Sequence, residues 1–324
     1  MPSRPLIDRR RWERPSAAPE VSEQEALACL THWDAGAHDL HMTRLEDGLA
    51  NGCWLLKWQG KTGFNHAVLR VSSRHHDDFT RESALLGWLD RGCQAPAILA
   101  HGMAPLRVPW VLLEYRDGQP LAQWLDQLQL EPSASLEALA HSIATHLLQR
   151  LALPALPDRL ALPHYPGTQL TQQLQALLQH PQVVERLPEG LVRALAQRAE
   201  AWAPFWQDLQ LEGLVHGDFG GSNLLIDDGG LTAVVDWEFA HQGSLLVDLG
   251  NLLRSPALRA TAFTRALEQQ MAAGCRPLPV HWFSMATLAD SLNWLYFLSR
   301  PMHRPRLFAD CEARLAEIVS LTHH

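Results

Sequence analysis

A short polar segment between apolar runs constrains the fold of this chain most strongly. Residues 215–223 read VHGDFGGSN and lead into an apolar run, a DDGG turn at 227–230 and a second apolar run. An Asp-Gly turn between two apolar runs is typical of a tight β-hairpin. Such a hairpin would bring Asp236, which follows its second strand, back beside Asn223. The segment therefore predicts that polar side chains separated along the chain meet at one end of a hairpin.

The residue types at these positions suit one kind of chemistry. Asp218, Asn223 and Asp236 supply a carboxylate, a carboxamide and a second carboxylate. One carboxylate can orient an attacking hydroxyl and accept its proton, while a carboxamide oxygen and a carboxylate are hard oxygen ligands for Mg²⁺. Gly220 and Gly221 let the backbone turn tightly between the carboxylate at 218, which would accept the proton, and the carboxamide at 223, which would bind the metal. A single Asp is most often an exposed residue, so the hypothesis of phosphoryl transfer depends on the three positions together.

These residues resemble the motifs of a known family, the aminoglycoside phosphotransferase-type kinases, which belong with choline kinase to the protein-kinase-like superfamily. The H-x-D-x-x-x-x-N loop of that family matches His216, Asp218 and Asn223. Its metal-binding Asp, the counterpart of the D-F-G Asp in protein kinases, matches Asp236. The run DLGNLLR at 248–254 also resembles bacterial members closely, and the resemblance covers about residues 40–300.

The resemblance implies a role for each matched residue of the second lobe. Asp218 would be the catalytic base, and Asn223 and Asp236 would hold Mg²⁺. Asp248 would be a structural acid that accepts hydrogen bonds from the backbone of the catalytic loop, and His216 would pack beneath that loop.

In the first lobe, the resemblance implies a nucleotide site. Gly48, Asn51 and Gly52 lie just before the predicted hairpin and would close over the phosphates. Arg70 occupies the position where the family has a Lys or Arg that reaches the α- and β-phosphates, with Lys57 as the alternative. An arginine keeps its charge and can bind phosphate through two N–H groups, so this replacement of lysine is workable.

The remaining nucleotide contacts follow from the same resemblance. Glu82, on the next predicted helix, would pair with Arg70. Glu114 and Tyr115 lie in the link between the lobes, where backbone groups would contact the adenine edge.

The order of predicted elements favours an α+β fold. Strands at 53–58 and 66–71 would form a hairpin, a helix would cover 79–91, and helices at 120–129, 134–151, 168–180 and 189–209 would follow. With the resemblance, this predicts a bilobal protein-kinase-like fold with a small antiparallel-sheet N-lobe and a larger helical C-lobe. The boundaries that we expect are a mobile N-terminal arm at 1–20, a nucleotide-binding lobe at 21–115, and a catalytic and substrate-binding lobe at 116–324.

The composition limits the kinds of molecule that this chain is expected to bind. The 324 residues carry a formal net charge of −8, which disfavours a nucleic-acid-binding role. Residues 114–324 hold 14 Lys+Arg against 22 Asp+Glu, so a cationic ligand of that lobe is plausible, as is an ordinary solvated acidic surface. The five scattered cysteines form no C-x-x-C pair, and there is neither a secretory signal nor an apolar run of membrane-spanning length. We therefore expect a cytoplasmic protein without a membrane partner, and leave its oligomeric state open.

The segment after Asp236 distinguishes two kinds of kinase. Asp248 follows Asp236 by only 12 residues, and Gly217 replaces the Arg that contacts a phosphorylated activation loop in protein kinases. The chain thus lacks both the length and the partner for switching by loop phosphorylation. This favours a constitutively active small-molecule kinase over a protein kinase.

The predicted reaction is transfer of the γ-phosphoryl group from a Mg²⁺-bound nucleoside triphosphate, ATP or else GTP, to a hydroxyl of a hydroxylated small molecule. An aminoglycoside, a sugar or an amino alcohol would fit the same machinery. The alternative is a nucleotide-binding pseudoenzyme or regulatory module on the same fold. Glu238, Asp290 and Asn293 are candidates for contact with the acceptor, although polar residues on a helix face would explain the last two equally well.

Overall fold

The computed structural model describes residues 12–13, 20–45, 51–61, 63–72, 79–89, 93–128, 132–206 and 211–321. Its N-terminal part is built on one antiparallel sheet of five strands in the order β1-β2-β3-β5-β4. These strands are β1 (His38–Leu45), β2 (Asn51–Gly60), β3 (Gly63–Ser72), β4 (Ile98–Gly102) and β5 (Trp110–Glu114).

Alternation along β2 and β3 gives this sheet two different faces. On one face, the alternating apolar side chains of both strands are buried and form a core with helix α1 (Glu23–Leu30). On the other face lie Cys53 and Arg70, which are directly paired across the two strands. The second face therefore looks towards the rest of the molecule, where the apolar side chains of helix α2 (Phe79–Trp88) join the larger core.

Local sequence explains how α1 begins. The Ser22 hydroxyl accepts a hydrogen bond from the backbone N–H of Glu25, and the Glu25 carboxylate accepts one from the backbone N–H of Ser22. This capping box satisfies N–H groups that the first turn of a helix leaves without partners.

The C-terminal part is mainly helical, as predicted. Its helices are α3 (Leu121–Gln127), α4 (Pro132–Leu151), α5 (Leu170–Leu178), α6 (Pro181–Arg186), α7 (Glu189–Trp202), α8 (Leu246–Leu252), α9 (Thr261–Ala273), α10 (Trp282–Ser299) and α11 (Pro305–Ser320). Two small sheets lie among them. One has the order β10-β9-β6, with β6 (Gln119–Pro120), β9 (Leu224–Asp227) and β10 (Gly230–Val234), and the other β7-β11-β8, with β7 (His164–Tyr165), β8 (Glu212–Val215) and β11 (His241–Ser244).

Helices α8 and α10 pack so closely that one position admits only glycine. A Cβ atom built on Gly250 of α8 would lie 2.1 Å from the backbone oxygen of Ala286 on α10. The absence of a side chain at Gly250 thus sets the distance between the two helices that flank the polar segment.

The first two described residues dock on the C-terminal part. The Trp12 indole donates a hydrogen bond to Asp310 on α11 (2.7 Å) and contacts the Trp294 ring edge to face. The Glu13 carboxylate accepts hydrogen bonds from the backbone N–H groups of Arg306 and Leu307 in the first turn of α11. These two residues are packed, whereas residues 1–11 and 14–19 of the expected mobile arm lie outside the described residues, so the mobility of the arm stays a prediction.

Candidate functional site

The loop at 216–223, which we call the catalytic loop, follows β8 and is held from below by Asp248. The Asp248 carboxylate accepts hydrogen bonds from the backbone N–H groups of His216 (2.8 Å) and Gly217 (2.9 Å). Arg150 on α4 donates to the same carboxylate at 2.6 Å, and both side chains of this ion pair are fully buried. Asp248 therefore makes the backbone contacts that the resemblance implied, with Arg150 as a partner that sequence reasoning missed.

His216 lies under the loop and connects it to the segment that carries Asp236. Its Nδ1 faces the backbone N–H of Asp218 at 3.2 Å, and its Nε2 faces the Val235 carbonyl at 3.0 Å. Because a backbone N–H only donates, Nδ1 accepts and Nε2 carries the proton. Burial lowers the pKa of His216, which favours this neutral form. The position matches the expected packing role.

The hairpin brings the candidate metal ligands together as predicted. The backbone N–H of Val235 donates to the carbonyl of Asn223 at 2.9 Å, so Asp236 directly follows the residue paired with Asn223. The Asn223 amide donates to the Asp218 carboxylate at 3.0 Å, while its Oδ1 accepts from the Ser222 hydroxyl at 3.1 Å. Asp218, Asn223 and Asp236 thus belong to one local cluster.

Arg70 connects the sheet of the first lobe to this cluster. Its guanidinium donates to Glu82 at 2.7 Å and to Asp236 at 2.8 Å. The guanidinium also lies over the Phe79 ring, with 5.3 Å from Cζ to the centroid. Although burial opposes the charge, the Glu82 and Asp236 carboxylates raise the pKa of Arg70. The expected pairing of Glu82 with Arg70 is present.

Two backbone features reinforce that arrangement. Glu82 also accepts a hydrogen bond from the backbone N–H of Trp237 at 3.0 Å, so α2 holds the residue next to Asp236. Asp236 has a φ of 67°, in the left-handed region that non-glycine residues seldom adopt. Such a conformation persists where surrounding contacts impose it, and it is common at functional sites.

The positions of Arg70 and Lys57 differ clearly. Lys57 is exposed on β2, four residues along the strand from Cys53, which pairs with Arg70. That separation is roughly 13 Å at the rise of a β-strand. Of the two, Arg70 contacts the cluster, which supports it as the residue near the phosphates.

Two of the other predicted nucleotide residues, Asn51 and Gly52, lie at the start of β2. Asn51 is buried at the start of β2, and a Cβ atom on Gly52 would overlap the Trp54 ring at 2.4 Å, so Gly52 accommodates that ring. Gly48 lies outside the described residues.

Side chains of the link between the lobes contact both lobes. The Glu114 carboxylate accepts from the backbone N–H of Ala97 (3.1 Å), and the Tyr115 ring contacts His66 with 4.5 Å between centroids. Arg116 donates to the carbonyl of Thr232 on β10. The side chains of Glu114 and Tyr115 thus stabilise the link, and the backbone contact with adenine stays a prediction.

The two residues of α10 that the sequence offers as candidates for contact with the acceptor have different surroundings. Asp290 is fully buried and accepts a hydrogen bond from the Trp294 indole at 2.9 Å, so it does not face an acceptor pocket. Asn293 donates to the Gly217 carbonyl in the catalytic loop at 3.2 Å.

Sequence reasoning also missed Arg254, which donates to the Asp218 carboxylate at 3.0 Å. The residue stands in the DLGNLLR run that carried the resemblance, but nothing in its spacing indicates a contact with a residue 36 positions away.

Two broader features of the described part of the chain bear on partners. Within the residues that the structure describes, no helix is long and apolar enough to cross a membrane. In the same ranges, no group of three or more His, Cys, Asp or Glu side chains is placed to hold a metal ion.

The chain matches a family model described as the phosphotransferase enzyme family over residues 41–288, which is more than half of its length. A search of curated proteins found no match.

Solved structures of the same fold cover nearly the whole chain. The GDP and kanamycin complex of APH(2″)-IIIa is 17% identical, covers 93% of this chain and 100% of its own, and has a TM-score of 0.71. A ternary complex of APH(4)-Ia with ADP and hygromycin B is 18% identical, covers 92% and 98%, and has a TM-score of 0.61. The macrolide 2′-phosphotransferase MphH from Brachybacterium faecium is 19% identical, covers 94% and 100%, and has a TM-score of 0.63.

These findings confirm the resemblance and the kinase-like fold that the sequence predicted. The chain belongs to the phosphotransferase enzyme family and is a phosphotransferase with an alcohol group as acceptor.

Proposed function

We propose that this enzyme transfers the γ-phosphoryl group of a Mg²⁺-bound nucleoside triphosphate to a hydroxyl of a small molecule, with Asp218 as the catalytic base. The observation that carries the proposal is the convergence of Asp218 and Asn223 in the catalytic loop with Asp236 after β10, with Arg70 reaching Asp236 from the other lobe at 2.8 Å. In this proposal, residues 21–115 form the lobe that binds the nucleotide, and residues 116–324 form the lobe that binds the acceptor and performs the transfer.

The donor atoms at the loop fit a magnesium ion. Asn223 offers an amide oxygen and Asp236 a carboxylate with 39% of its side-chain surface exposed, and Mg²⁺ prefers such oxygen ligands together with substrate phosphates and water. When bound, the ion would offset charge on the phosphate oxygens. Asn223 and Asp236 are the residues that would hold it.

The side chains of the chain itself position the reactants. Asp218 orients the acceptor hydroxyl and accepts its proton, and Arg70 brings a permanent positive charge to the cleft near the phosphates. No covalent intermediate is required, because alignment and charge stabilisation supply most of the rate enhancement in phosphoryl transfer.

The donor nucleotide that we propose is ATP, with GTP as the alternative. Of the similar structures named above, that of APH(2″)-IIIa holds GDP and that of APH(4)-Ia holds ADP, so this fold accepts either base in those two proteins. The Glu114 backbone N–H already donates to the Ala97 carbonyl at 2.8 Å, so the contact with the base would fall to the backbone of the link beyond Glu114, at Tyr115.

For the acceptor, we propose a hydroxylated small molecule such as an aminoglycoside, a sugar or an amino alcohol. The excess of acidic residues in 114–324 favours a cationic acceptor. A second observation favours an acceptor with an apolar ring face: Phe239 exposes 50% of its surface, while its backbone packs against the Gly217 position beside Asp218. Macrolides therefore belong in the same screen.

We place the enzyme in the cytoplasm. All five cysteines lie in described ranges and are thiols with no disulfide among them, which fits a reducing compartment.

The test is a coupled ADP-release or GDP-release screen over aminoglycosides, macrolides, sugars and amino alcohols, with product identified by mass spectrometry. We expect turnover of at least one acceptor, and expect Asp218→Asn to lower kcat by about 10²- to 10⁴-fold with nucleotide affinity nearly unchanged. Nucleotide binding without transfer to any acceptor would support the pseudoenzyme alternative, and full turnover by Asp218→Asn would overturn the assignment of the base.

A further inference from the structure

Arg254, just after α8, joins two carboxylates that lie on different elements. Its Nη1 donates to Asp218 Oδ1 in the catalytic loop at 3.0 Å. Its Nε and Nη2 both approach Asp290 Oδ1 on α10, at 2.8 Å and 2.7 Å. One rigid guanidinium therefore connects the predicted catalytic base to a buried helix.

Asp290 is a fixed point for this connection. The carboxylate is fully buried and also accepts hydrogen bonds from the Trp294 indole (2.9 Å), the Asn251 amide (3.2 Å) and Arg314 Nε (3.2 Å). The Arg254 guanidinium lies over the Trp294 ring, with 4.7 Å from Cζ to the centroid. Held by Asp290 and covered by Trp294, the guanidinium has little freedom to rotate.

These contacts fix the orientation of the Asp218 carboxylate. Oδ1 accepts from Arg254, and Oδ2 accepts from the Asn223 amide at 3.0 Å. Two donors from different directions set the plane of the carboxylate, so that its remaining lone pairs keep one direction. A hydroxyl that attacks in line needs an acceptor oriented in this way, and a displacement of about 1 Å can cost about 10²-fold in rate.

Asp290 does not depend on Arg254 for neutralisation. Arg314, with no exposed side-chain surface, forms a second ion pair with Asp290 at 3.1 Å and makes no contact with Asp218 among the interactions of the described residues. The contact of Arg254 with the catalytic loop is therefore additional to what the burial of Asp290 requires.

We propose that Arg254 is a positioning residue that holds the Asp218 carboxylate at the angle required for phosphoryl transfer, with Asp290 and Trp294 as its support. The inference rests on the proposed function, in which Asp218 orients the acceptor hydroxyl. It assigns to the DLGNLLR run a role in catalytic geometry beyond the support that Asp248 gives to the loop backbone.

The test compares steady-state kinetics of Arg254→Gln and wild-type enzyme. We expect kcat to fall about 100-fold while the KM for nucleotide changes less than about 3-fold, because Arg254 acts on the base and not on the nucleotide. Arg186→Gln is the matched control: Arg186 is partly buried like Arg254 and lies over an aromatic ring, Phe308, at 4.2 Å, but its hydrogen bonds go to backbone carbonyls at the end of α10 and beyond it, not to Asp218 or Asp290. Its kcat should stay near the wild-type value.

A double-mutant cycle separates positioning from general damage. If Arg254 acts through Asp218, then Arg254→Gln should have little further effect on kcat in an Asp218→Asn background. A full 100-fold additional loss in that background, or equal losses of kcat in Arg254→Gln and Arg186→Gln, would overturn the proposal. Wild-type kcat in Arg254→Gln would overturn it as well.

If Arg254→Gln does not fold, a second variant still tests the proposal. Arg254→Lys keeps the charge, but an ammonium lacks the rigid fork that spans Asp218 and Asp290, so kcat should still fall about 10-fold with a small change in melting temperature. Unchanged kcat in Arg254→Lys would overturn the proposal in that case. Absence of turnover by the wild-type enzyme with every acceptor would instead count against the proposed function itself.

Discussion

Single side chains of the site have several partners each, and this limits which substitutions they tolerate. Arg70 bonds to Glu82 and Asp236 and lies over the Phe79 ring. A lysine has the same charge, but a single ammonium cannot reproduce the planar fork that reaches both carboxylates. The residue identity at this position therefore matters beyond its charge.

We predict that Arg70→Lys lowers kcat/KM for the nucleotide by about 10- to 100-fold, which corresponds to the loss of one charge-assisted hydrogen bond. Lys57→Gln serves as the control, since Lys57 is exposed on β2. Steady-state kinetics at varied nucleotide concentration provide the measurement. A larger loss in Lys57→Gln than in Arg70→Lys would show that Lys57 is the phosphate contact.

Buried histidines make the stability of the fold sensitive to acid. His146 on α4 is fully buried and stacks on Phe219, and neither ring nitrogen has a hydrogen-bond partner among the described residues. Burial lowers the pKa of His146 and of His216. A folded-state pKa below that of the unfolded chain gives stability that is present above about pH 6.5 and is lost as the pH falls towards the folded-state value.

We predict that the melting temperature falls between pH 7.5 and pH 5.5 and that it falls less in His146→Phe. The variant should also be more stable at pH 7.5, by about 1 kcal/mol, because phenylalanine keeps the stacking and buries no unsatisfied nitrogen. Thermal unfolding at several pH values measures both effects. A variant with the same pH dependence as wild type would show that His146 does not contribute.

At the scale of helices and strands, the packing of α8 on α10 positions the loop-binding residues Asp248 and Asn251. We predict that Gly250→Ala destabilises the fold by about 3 kcal/mol, because its Cβ would overlap the Ala286 carbonyl at 2.1 Å. Gly190→Ala on α7, where nothing lies within 4 Å of the added atom, should change the free energy of unfolding by less than about 0.5 kcal/mol. Denaturant unfolding of both variants is the measurement, and equal stabilities would contradict the close packing.

Elements with a local pattern were predictable from sequence. The hairpin at 224–234 and the pairing of β2 with β3 were expected from turn residues and alternation, and the structure confirms both. Strand β1 and strand β4 were not predicted, since much of β1 is exposed and partly buried positions dominate β4, so neither has the strict alternation of a half-buried strand.

The contacts that complete the site were beyond the reach of local pattern. The sequence makes Asp290 a candidate for the acceptor pocket, because a carboxylate on an apolar helix does not reveal that Arg254 and Arg314 from other elements neutralise it. The contact of Arg254 with Asp218 likewise depends on how α8 and α10 pack. The family resemblance identified Asp218, Asn223, Asp236 and Asp248, while the side chains that orient them required the structure.

At the scale of the whole molecule, the Arg70–Asp236 ion pair connects the sheet of the first lobe to the loop region of the second across 166 residues of sequence. A bound nucleotide would lie between the same elements. We therefore expect the two lobes to act as one unit when the nucleotide is present. This expectation depends on the assignment of Asp236 as a metal ligand.

Isothermal titration of a non-hydrolysable nucleoside triphosphate, with and without Mg²⁺, tests that claim most directly in the wild type, Asp236→Asn and Asp218→Asn. We predict that wild type and Asp218→Asn bind the nucleotide more tightly with Mg²⁺, and that Asp236→Asn loses most of this Mg²⁺ dependence, since a neutral amide is a weaker ligand than a carboxylate. Nucleotide binding by Asp236→Asn with the full wild-type dependence on Mg²⁺ would contradict the account.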